Sequence, residues 1–555
     1  SLDPGESYQQ ICDAYVPSTA GQYTATAYSL LNGDQNTTND SLTGSFIGSL
    51  LLSGIFTVGG GGDMPTIKSA IDTLNHNIVA GEITFSLINS SYTEPPLSIN
   101  PIDYFFIQNI VKIQPAPGIS PVITINATEA EPYGLAIDGA SKLIIDGANS
   151  DQNNRNTLLK VSGSNGKIAL LIRGTEEATA DSNTVKNLSI QTGADSLSSS
   201  DGFYGILLYG NSSLFKDAGN IIYNCEITKH GAVGIAVQWQ TGVVLENNYV
   251  HDWTQMSGEN DVHGIWLADG TIGAVVVGNT IGNIKTNVNY FWAYGIENSS
   301  GAGSNARIYN NMIYDVLSSG AGGNINYSTG IFGSNISNSG DEYYYNSIYL
   351  SGTDYSTSSL SHTAGFEFVG GADISVKNNI VFNESIISGT STENKEYCVY
   401  LSSVPANFIS NNNDFYAPNP HGVIGYNAAN KTTLYDWQSS FSPRQDSLSV
   451  SADPLFVSKT EGNLHINIDA VSPTNAAASP VSWIVRDIDG DIRNAGVPDI
   501  GADEFTPGGF TVNVSCEAGW NLVSVPLIVS DYSKASLFEH SISDAFSYRG
   551  NYVPE

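Results

Sequence analysis

The central part of this 555-residue chain repeats one short pattern of aliphatic residues and asparagine. Two apolar residues lie five positions apart in seven of the eight copies, and an asparagine lies between them, as in NTVKNLSI (183–190) and ARIYNNMI (306–313). The first column of the repeat comprises Val185, Ile222, Leu245, Val276, Ile308, Tyr343, Val376 and Ile409, and the second comprises Ile190, Ile227, Val250, Ile281, Ile313, Ile348 and Val381. A regular period of about 32 residues indicates an architecture in which each unit stacks on the next.

A further short apolar segment, opened by glycine in all copies but the last, precedes each unit. These segments are GILL (205–208), GIAV (234–237), GIWL (264–267), GIEN (295–298), GIFG (330–333), GFEF (365–368) and CVYL (398–401). Each repeat therefore holds three short strands separated by turns, and none of the three has the 3.6-residue period of a helix.

The five-residue spacing requires a sharp bend within each repeat. Side chains alternate along a strand with period two, so two inward residues five apart cannot belong to one continuous strand. Asparagine tolerates the left-handed backbone conformation that such a bend needs. Stacked about 4.8 Å apart, the asparagine side chains can also hydrogen-bond to each other as a ladder. The predicted ladder comprises Asn248, Asn279, Asn311, Asn346, Asn379 and Asn412. We therefore predict an all-β chain, a right-handed parallel β-helix with three strands per coil.

The residues before the repeats predict a cap for one end of this β-helix. PTIKSAIDTLN (65–75) is amphipathic, with Ile67, Ala70, Ile71 and Leu74 on one side of a helix. Such a helix would cover the open end of the core and protect its strand edges from pairing with other chains. The expected β-helix spans residues 76–505, preceded by a linker strand and the capping helix over 49–75.

Several segments resemble known families. TVGGGGDMPTIKSAID (57–72), followed by EITFSLINSSYTEPPLSI (82–99), resembles the opening of pectin-lyase-like β-helix proteins. The stretch 434–458 and the stretch RDIDGDIRNAGVPDIGADEF (486–505) are similar to the closing coils of large secreted bacterial β-helix surface proteins. Residues 1–48 resemble the end of an immunoglobulin-like β-sandwich module, and residues 506–555 resemble the start of a C-terminal β-sandwich-like module. The resemblance implies an extracellular or cell-surface location on a bacterium and membership of a larger surface polypeptide.

Charge and cysteine content exclude several classes of function. Lys and Arg number 21 against 54 Asp and Glu, which gives a net charge of -33. Such a surface repels nucleic acid and anionic lipid, and no apolar run is long enough for direct membrane insertion. The cysteines, Cys12, Cys225, Cys398 and Cys516, form no C-x-x-C pair. Isolated thiols of this kind are expected to be buried as small apolar groups.

The strand that follows each glycine carries the candidate binding residues. The second residue after each glycine, or after Cys398, points outward and gives a row of aromatic and acidic side chains: Trp266, Glu297, Phe332, Glu367 and Tyr400. Exposed aromatic rings can stack on sugar rings, which makes this row a candidate glycan-binding site. Its alternative interpretation is an apolar cluster covered by long loops.

The candidates for catalysis are few. They are Glu297, Glu367 and His263. The two glutamates lie two coils apart, about 10 Å, which slightly exceeds the separation of the carboxylates in inverting glycosidases. The polygalacturonase motifs of the pectin-lyase-like superfamily and the Gln-Asp pair of its methylesterases are missing.

We expect no cofactor, and calcium is the alternative for which the sequence offers candidate ligands. Asp487, Asp489 and Asp491 match the first three positions of an EF-hand loop, but Ile492 replaces its glycine and Pro498 its bidentate glutamate.

The sequence favours a structural or adhesive rod within a larger cell-surface or filamentous assembly. Its expected partners are other surface modules or copies of itself. A polysaccharide lyase or glycoside hydrolase, and a glycan-binding module without turnover, are the alternatives. The rod is favoured because basic residues in the repeats are too few to supply a proton-abstracting base beside a carboxylate cluster.

Overall fold

The computed structural model confirms an all-β chain built as a right-handed parallel β-helix. It describes residues 21–28, 38, 41–104, 108–150, 154–162, 167–192, 203–212, 215–229, 231–255, 260–320, 325–334, 339–357, 361–388, 394–508, 546–548 and 552–554. The chain divides into two compact units, residues 1–507 and 508–555, and the β-helix lies in the first.

Three long sheets form the walls of the β-helix. Sheet A comprises β3 (Leu51–Val58), β4 (Ile78–Leu87), β7 (Val111–Pro115), β10 (Leu143–Asp146), β13 (Thr184–Lys186), β17 (Ile221–Tyr223), β21 (Val244–Glu246), β24 (Val275–Val277), β27 (Arg307–Tyr309), β30 (Glu342–Tyr344), β34 (Ser375–Lys377) and β38 (Ile409–Asn411). Sheet B comprises β5 (Ser91–Glu94), β8 (Val122–Asn126), β11 (Thr157–Ser162), β14 (Leu188–Gln191), β18 (Glu226–Thr228), β22 (Tyr249–Gln255), β25 (Thr280–Thr286), β28 (Met312–Ser318), β31 (Ser347–Leu350), β35 (Ile380–Asn383) and β39 (Asp414–Tyr416). Sheet C comprises β6 (Leu97–Ile99), β9 (Tyr133–Asp138), β12 (Ile168–Arg173), β15 (Tyr204–Tyr209), β19 (Val233–Gln238), β23 (Val262–Leu267), β26 (Ala293–Asn298), β29 (Tyr327–Gly333), β33 (His362–Phe368), β37 (Lys395–Leu401), β40 (Gly422–Asn427) and β41 (Asn430–Lys431).

The remaining elements lie outside the three sheets. They are the helices α1 (Ile67–Asn75) and α2 (Leu434–Ser439), a 3-10 turn (Lys459–Glu461), and the strand pairs β1 (Gly21–Tyr28) with β2 (Ser41–Gly48), β16 (Asp217–Ala218) with β20 (Gln240–Thr241), β32 (Thr353–Asp354) with β36 (Ile386–Ile387), β42 (Phe456–Ser458) with β43 (Asn463–Ile466), and β44 (Phe546–Tyr548) with β45 (Tyr552–Pro554). None of the helices in the described part of the chain is long and apolar enough to cross a membrane.

The core consists of stacked columns in which each aliphatic side chain contacts its counterparts in the neighbouring coils. In sheet C, residues 206, 235, 265, 296 and 331 pair in register, and all five isoleucines are fully buried. The sheet A column pairs as the spacing predicts down to Val376, but Ser410 then takes the inward position and Ile409 is 48% exposed. The expectation for Ile409 was wrong by one residue, because the five-residue spacing runs from Ser410 to the buried Phe415.

The asparagine ladder forms at the corner between sheets A and B. Each Nδ2 donates to the Oδ1 of the asparagine in the next coil: 3.0 Å from Asn248 to Asn279, 3.0 Å from Asn279 to Asn311, 2.9 Å from Asn311 to Asn346, 3.0 Å from Asn346 to Asn379, and 3.1 Å from Asn379 to Asn413. The last member is therefore Asn413, and the assignment of Asn412 to the ladder was wrong. The cause is the same one-residue offset, in a run of three asparagines.

The sharp bend belongs to the residue before each ladder position. Asn247, Asn310, Asn378 and Asn412 have φ between 54° and 61°, whereas the ladder asparagines that follow them do not have positive φ. The chain therefore bends at one residue, and the next residue forms the hydrogen-bonded ladder. Positive φ favours asparagine and glycine, and Gly278 occupies one bend with φ 65°.

The glycine that opens each sheet C segment is required by close packing inside the coil. A Cβ atom on Gly264 would lie 2.4 Å from Cγ2 of Ile281 and 2.6 Å from the carbonyl oxygen of Gly295. Any side chain there would separate sheets B and C. The glycine column therefore sets how closely the two sheets approach.

The N-terminal end of the core is covered by α1, as predicted. The helix begins two residues later than expected, because Thr66 caps it and accepts a hydrogen bond from the backbone N–H of Ser69. The carboxylate of Glu94 also accepts hydrogen bonds from the backbone N–H groups of Ile67 (2.8 Å) and Lys68 (3.2 Å). The predicted apolar stripe of α1 is buried against the coils.

The β-helix boundaries differ from those expected. The sheets begin at Leu51 rather than residue 76, and the last sheet strand ends at Lys431 rather than near residue 505. Residues 455–505 instead pack back along the corner between sheets A and B, and we call them the return segment. Its Ser479 exchanges hydrogen bonds with the side chain of Asn378 (2.8 and 3.0 Å), and the guanidinium of Arg493 donates to Oδ1 of Asn310 (2.9 Å).

The predicted flanking modules are described only in part. Residues 1–48 contribute the antiparallel pair β1–β2, and the second unit contributes the antiparallel pair β44–β45. The sandwich assignments remain predictions. Cys225 and Cys398 are buried and free, while Cys12 and Cys516 lie outside the described residues.

Truncation of a core isoleucine tests the register of sheet C. We expect Ile265→Ala to lower the free energy of unfolding by about 2–5 kcal/mol, because it leaves a cavity in a fully buried column. Urea unfolding measures the change. Ile386→Ala, at a position 53% exposed, is the control and should change it by less than about 1 kcal/mol. Equal effects of the two substitutions would contradict the stacked column.

Removal of one ladder asparagine should lower the free energy of unfolding by more than the small size of the side chain suggests. Asn311→Ala leaves the backbone N–H of Asn279 and the carbonyl oxygen of Val276 without this partner, while Nδ2 of Asn279 keeps the carbonyl oxygens of Leu245 and Val277 as acceptors. We expect a loss of about 2–6 kcal/mol in urea unfolding, since each of the two buried unsatisfied groups costs about 1–3 kcal/mol. Asn100→Ala, at an exposed position, is the control and should lower the free energy of unfolding by less than about 1 kcal/mol.

A buried carboxyl group makes stability depend on pH. Burial raises the pKa of Asp414 to about 8, and its Oδ2 has no hydrogen-bond partner. The folded state therefore binds more protons than the unfolded chain, in which the pKa is about 3.9. Stability should fall as pH rises from about 4 to about 8, by up to about 1.4 kcal/mol per pH unit from this group.

Asp414→Asn should remove that part of the slope in urea unfolding between pH 5 and 8. The exposed Asp469, substituted by asparagine, should retain the wild-type slope. An unchanged slope in Asp414→Asn would show that Asp414 is ionised in the folded protein.

Candidate functional site

The outer side of sheet C carries two neighbouring columns of polar and aromatic side chains, which we call the sheet C face. The first column is the row of candidate residues, and the strands pair it in register as Trp266, Glu297, Phe332, Glu367, Tyr400 and Tyr426. The second column comes from the residue before each glycine and pairs as His263, Tyr294, Thr329, Ala364 and Tyr397. The β-helix thus brings together side chains that are about 30 residues apart in sequence.

His263 and Glu297 form a close pair on adjacent coils. Nε2 of His263 lies 2.6 Å from Oε2 of Glu297, and Nδ1 of this buried histidine has no hydrogen-bond partner. Burial by itself would raise the pKa of Glu297. The hydrogen bond and charge of His263, with contributions from Ser299 and Trp266, outweigh burial and hold the pKa below its usual value. Glu297 is therefore an ionised hydrogen-bond acceptor near neutral pH.

A second histidine and glutamate pair lies further along the same face. Nε2 of His362 is 3.3 Å from Oε2 of Glu367, and the hydroxyl of Thr329 donates to the same oxygen at 3.0 Å. The ring of His362 stacks on Tyr400 with centroids 4.5 Å apart. Each candidate carboxylate is thus held by a histidine that contacts an aromatic member of the row.

The aromatic rings of the sheet C face contact one another across several coils. His263 stacks on Trp266 with centroids 5.3 Å apart, and Tyr294 lies 5.1 Å from Phe332. At the other end, Tyr400 and Tyr426 stack at 4.8 Å. Ring contacts of this kind fix the orientation of each side chain, so the face is preformed.

The structure corrects the exposure expected for the row. Trp266, Glu297, Phe332 and Tyr400 are partly buried, and Glu367 is only 5% exposed, so the row is not a fully exposed surface. Neighbouring rings cause part of this burial. The prediction of a sugar-binding row and the alternative of a covered apolar cluster thus each describe part of the face.

Sequence reasoning missed several members of the site. His362, Trp292 and Tyr294 lie on or beside the sheet C face, and the backbone N–H of Trp292 donates to Oδ1 of Asp261 at 2.8 Å. The residue before each glycine is a column in its own right, and that periodic signal would have found Tyr294. Trp292 and His362 each lie three residues before their glycines, so they belong to a further column of the repeat that the sequence reasoning did not consider.

The three candidate calcium ligands do not converge. Asp487 accepts hydrogen bonds from the backbone N–H groups of Asp489, Asp491 and Glu504, which gives it a structural role in its loop. Asp489 instead lies 2.8 Å from Nε2 of His465. Asp489, His465 and Asp503 bring one ligand atom each within 4.8 Å of one another. Calcium takes oxygen ligands, so this histidine-containing group is not the predicted site, and calcium at Asp487, Asp489 and Asp491 remains a prediction.

The histidine and glutamate contact on the sheet C face has a measurable consequence. His263→Phe removes the hydrogen bond and charge that oppose burial, so the pKa of Glu297 should rise from its wild-type value. NMR titration of carboxyl-labelled glutamate measures the pKa, and Glu297→Gln assigns the signal. An unchanged pKa in His263→Phe would show that His263 is not the cause of the low pKa.

Comparison with known proteins identifies the coils but not an activity. Residues 123–313 match the family model of a right handed beta helix region. No curated protein matches the chain.

Among solved structures, a lacto-N-biosidase from Eubacterium ramulus is 10% identical over 62% of this chain and 67% of its own, with a TM-score of 0.35. A mannuronan C-5 epimerase A-module from Azotobacter vinelandii is 14% identical over 70% and 94%, with a TM-score of 0.33. A pectin methylesterase from Aspergillus niger is 11% identical over 65% and 88%, with a TM-score of 0.22. The matched region of the chain is part of the right-handed parallel β-helix described above.

Proposed function

We propose that the protein binds a polysaccharide along the sheet C face and holds it without cleaving it. The observation that carries this proposal is the row itself, in which the rings of Trp266, Phe332 and Tyr400 alternate with carboxylates on successive coils. Coils repeat about every 4.8 Å, which is close to the length of one sugar unit. A glycan lying parallel to the axis of the β-helix would meet the partly exposed members of the row, Trp266, Glu297, Phe332 and Tyr400.

The carboxylates complement the rings chemically. Sugar hydroxyls donate hydrogen bonds, and an ionised carboxylate accepts them more strongly than a neutral group does. Glu297 is ionised because His263 holds its pKa low, and it is preoriented by the same contact. The face therefore offers fixed acceptors between apolar rings, the combination that a neutral sugar requires.

The geometry favours binding over hydrolysis. A glycosidase needs one protonated carboxyl group with a raised pKa as general acid. The pKa of Glu297 is shifted in the opposite direction. Glu367 is almost fully buried and two coils away, about 10 Å along the axis.

A structural or adhesive role is the second candidate, and it is compatible with glycan binding. Its support is the continuous asparagine ladder, together with the coverage of the N-terminal end of the core by α1. Such a rod can present a binding face at a distance from its attachment point. In this proposal the protein works at the surface of a bacterial cell, beside other surface modules or copies of itself.

Tryptophan fluorescence tests the binding proposal. Titration with a panel of neutral oligosaccharides should quench emission, because a sugar would stack on the partly exposed ring of Trp266. In Trp266→Phe the change in emission should disappear, and in Trp266→Ala calorimetric affinity should fall at least tenfold, which corresponds to about 1.4 kcal/mol.

Trp483 provides a matched control. It is 38% exposed and lies on the return segment, away from the sheet C face. Trp483→Ala should leave both the quenching and the affinity unchanged. Quenching that survives in Trp266→Phe and is lost in Trp483→Ala would place the binding elsewhere.

Incubation with acidic and neutral polysaccharides tests the absence of turnover. We expect no release of oligosaccharides or unsaturated products. Reproducible cleavage that is abolished by Glu297→Gln or Glu367→Gln, with binding retained, would overturn the proposal in favour of an enzyme.

A further inference from the structure

A cavity of about 260 Å³ lies at the corner between sheets A and B, near the N-terminal end of the β-helix and apart from the sheet C face. Its polar lining includes Lys112 from β7, Asp146 from β10 and Lys186 from β13, with Gln114 and Asn149 beside them. The three charged residues come from successive coils, so the stacking of the β-helix is what brings them together.

Two lysines in this cavity share a single carboxylate oxygen. Nζ of Lys112 and Nζ of Lys186 each lie 3.3 Å from Oδ2 of Asp146. The two ammonium groups are therefore no further apart than twice that distance. In six other ion pairs, those of Lys68, Arg173, Lys285, Arg307, Lys459 and Arg493, each basic side chain has a carboxylate of its own.

The remaining oxygen of Asp146 is already occupied. Its Oδ1 accepts hydrogen bonds from Nδ2 of Asn187 at 2.8 Å and from the backbone N–H of Ala148 at 3.1 Å. The side chain of Asp146 is 8% exposed, so its carboxylate is fixed in place. It therefore positions the ammonium groups of both lysines.

The charges of this cluster do not cancel. Two ammonium groups against one carboxylate leave a charge of +1, in a chain whose net charge is -33. An ammonium group has three N–H donors and needs at most one for Asp146. The side chains of Lys112 and Lys186 are 32% and 30% exposed, so their other donors can reach a ligand.

We propose that this cavity binds an oxyanion, bridged by Lys112 and Lys186. A carboxylate, a sulfate group and a phosphate group share the required chemistry of charged oxygen acceptors. The amides of Gln114 and Asn149 are further donors in the lining. The site is independent of the glycan proposed for the sheet C face, and it gives an otherwise acidic molecule one place to hold an anion.

Isothermal titration calorimetry of the full chain in low-salt buffer tests the proposal. The probes are inorganic phosphate, inorganic sulfate, a galacturonate trisaccharide and a sulfated disaccharide, with uncharged galactose oligomers as the neutral reference. We expect oxyanion binding that weakens with added salt, since the attraction is electrostatic and accessible to solvent. Stronger binding of the acidic sugars than of the free ions would identify the anion as part of a glycan. Equal binding would identify a free anion.

Substitutions decide whether the binding belongs to this cavity. Lys112→Gln and Lys186→Gln should each weaken it at least tenfold. Lys160→Gln removes the same charge at an exposed position on sheet B and should change it by less than twofold.

Three results would overturn the proposal. The first is the absence of binding by every oxyanion probe at millimolar concentration. The second is binding that persists in the double variant Lys112→Gln/Lys186→Gln. The third is an equal loss in Lys160→Gln, which would show that only net charge matters.

Discussion

The structure depends on hydrogen bonds between equivalent atoms of successive coils. A parallel β-helix keeps its strands in register only if each coil makes the same turn at the same place. The ladder at the corner of sheets A and B provides this, because every internal member accepts from one neighbouring coil and donates to the other. The carbonyl oxygen bound by each Nδ2 ties the side chain to the backbone as well, for example Asn311 to Val276. The position of each outward residue on sheet C follows from this register.

Periodic features were predictable from the sequence because each one repeats in every coil. The aliphatic columns, the glycine column and the outward row needed only counting, and the structure pairs them as counted down to Val376. Prediction failed at Ile409 and Asn412, where three consecutive asparagines allow two alignments and only the position of Phe415 distinguishes them. The sequence also could not distinguish the residue that bends the chain from the residue that forms the ladder, because both are commonly asparagine.

Features that occur once left no signal. The return segment contacts coils more than 60 residues earlier in the chain, as in the hydrogen bond from Asn412 to Ala477. Its sequence does not indicate which residues it contacts. The second histidine of the sheet C face, His362, was missed for another reason. It lies three residues before its glycine, whereas His263 lies directly before its own, so the two histidines belong to different columns of the repeat. Each histidine contacts a glutamate, and only the folded structure reveals this shared role.

The return segment changes how the β-helix can come apart. In a simple stack each coil touches only the coils above and below it, so the stack can fray one coil at a time from either end. Here residues 477–493 hydrogen-bond to the bend residues Asn310, Tyr345, Asn378 and Asn412, which belong to four successive coils. These four coils can separate only after the return segment has detached, so they behave as one cooperative block.

Among the described contacts, the coils before Asn310 have no such hydrogen bonds to the return segment. Under tension or thermal stress the molecule should therefore open first in its N-terminal half, and a partner that pulls on the C-terminal coils would load the stronger part.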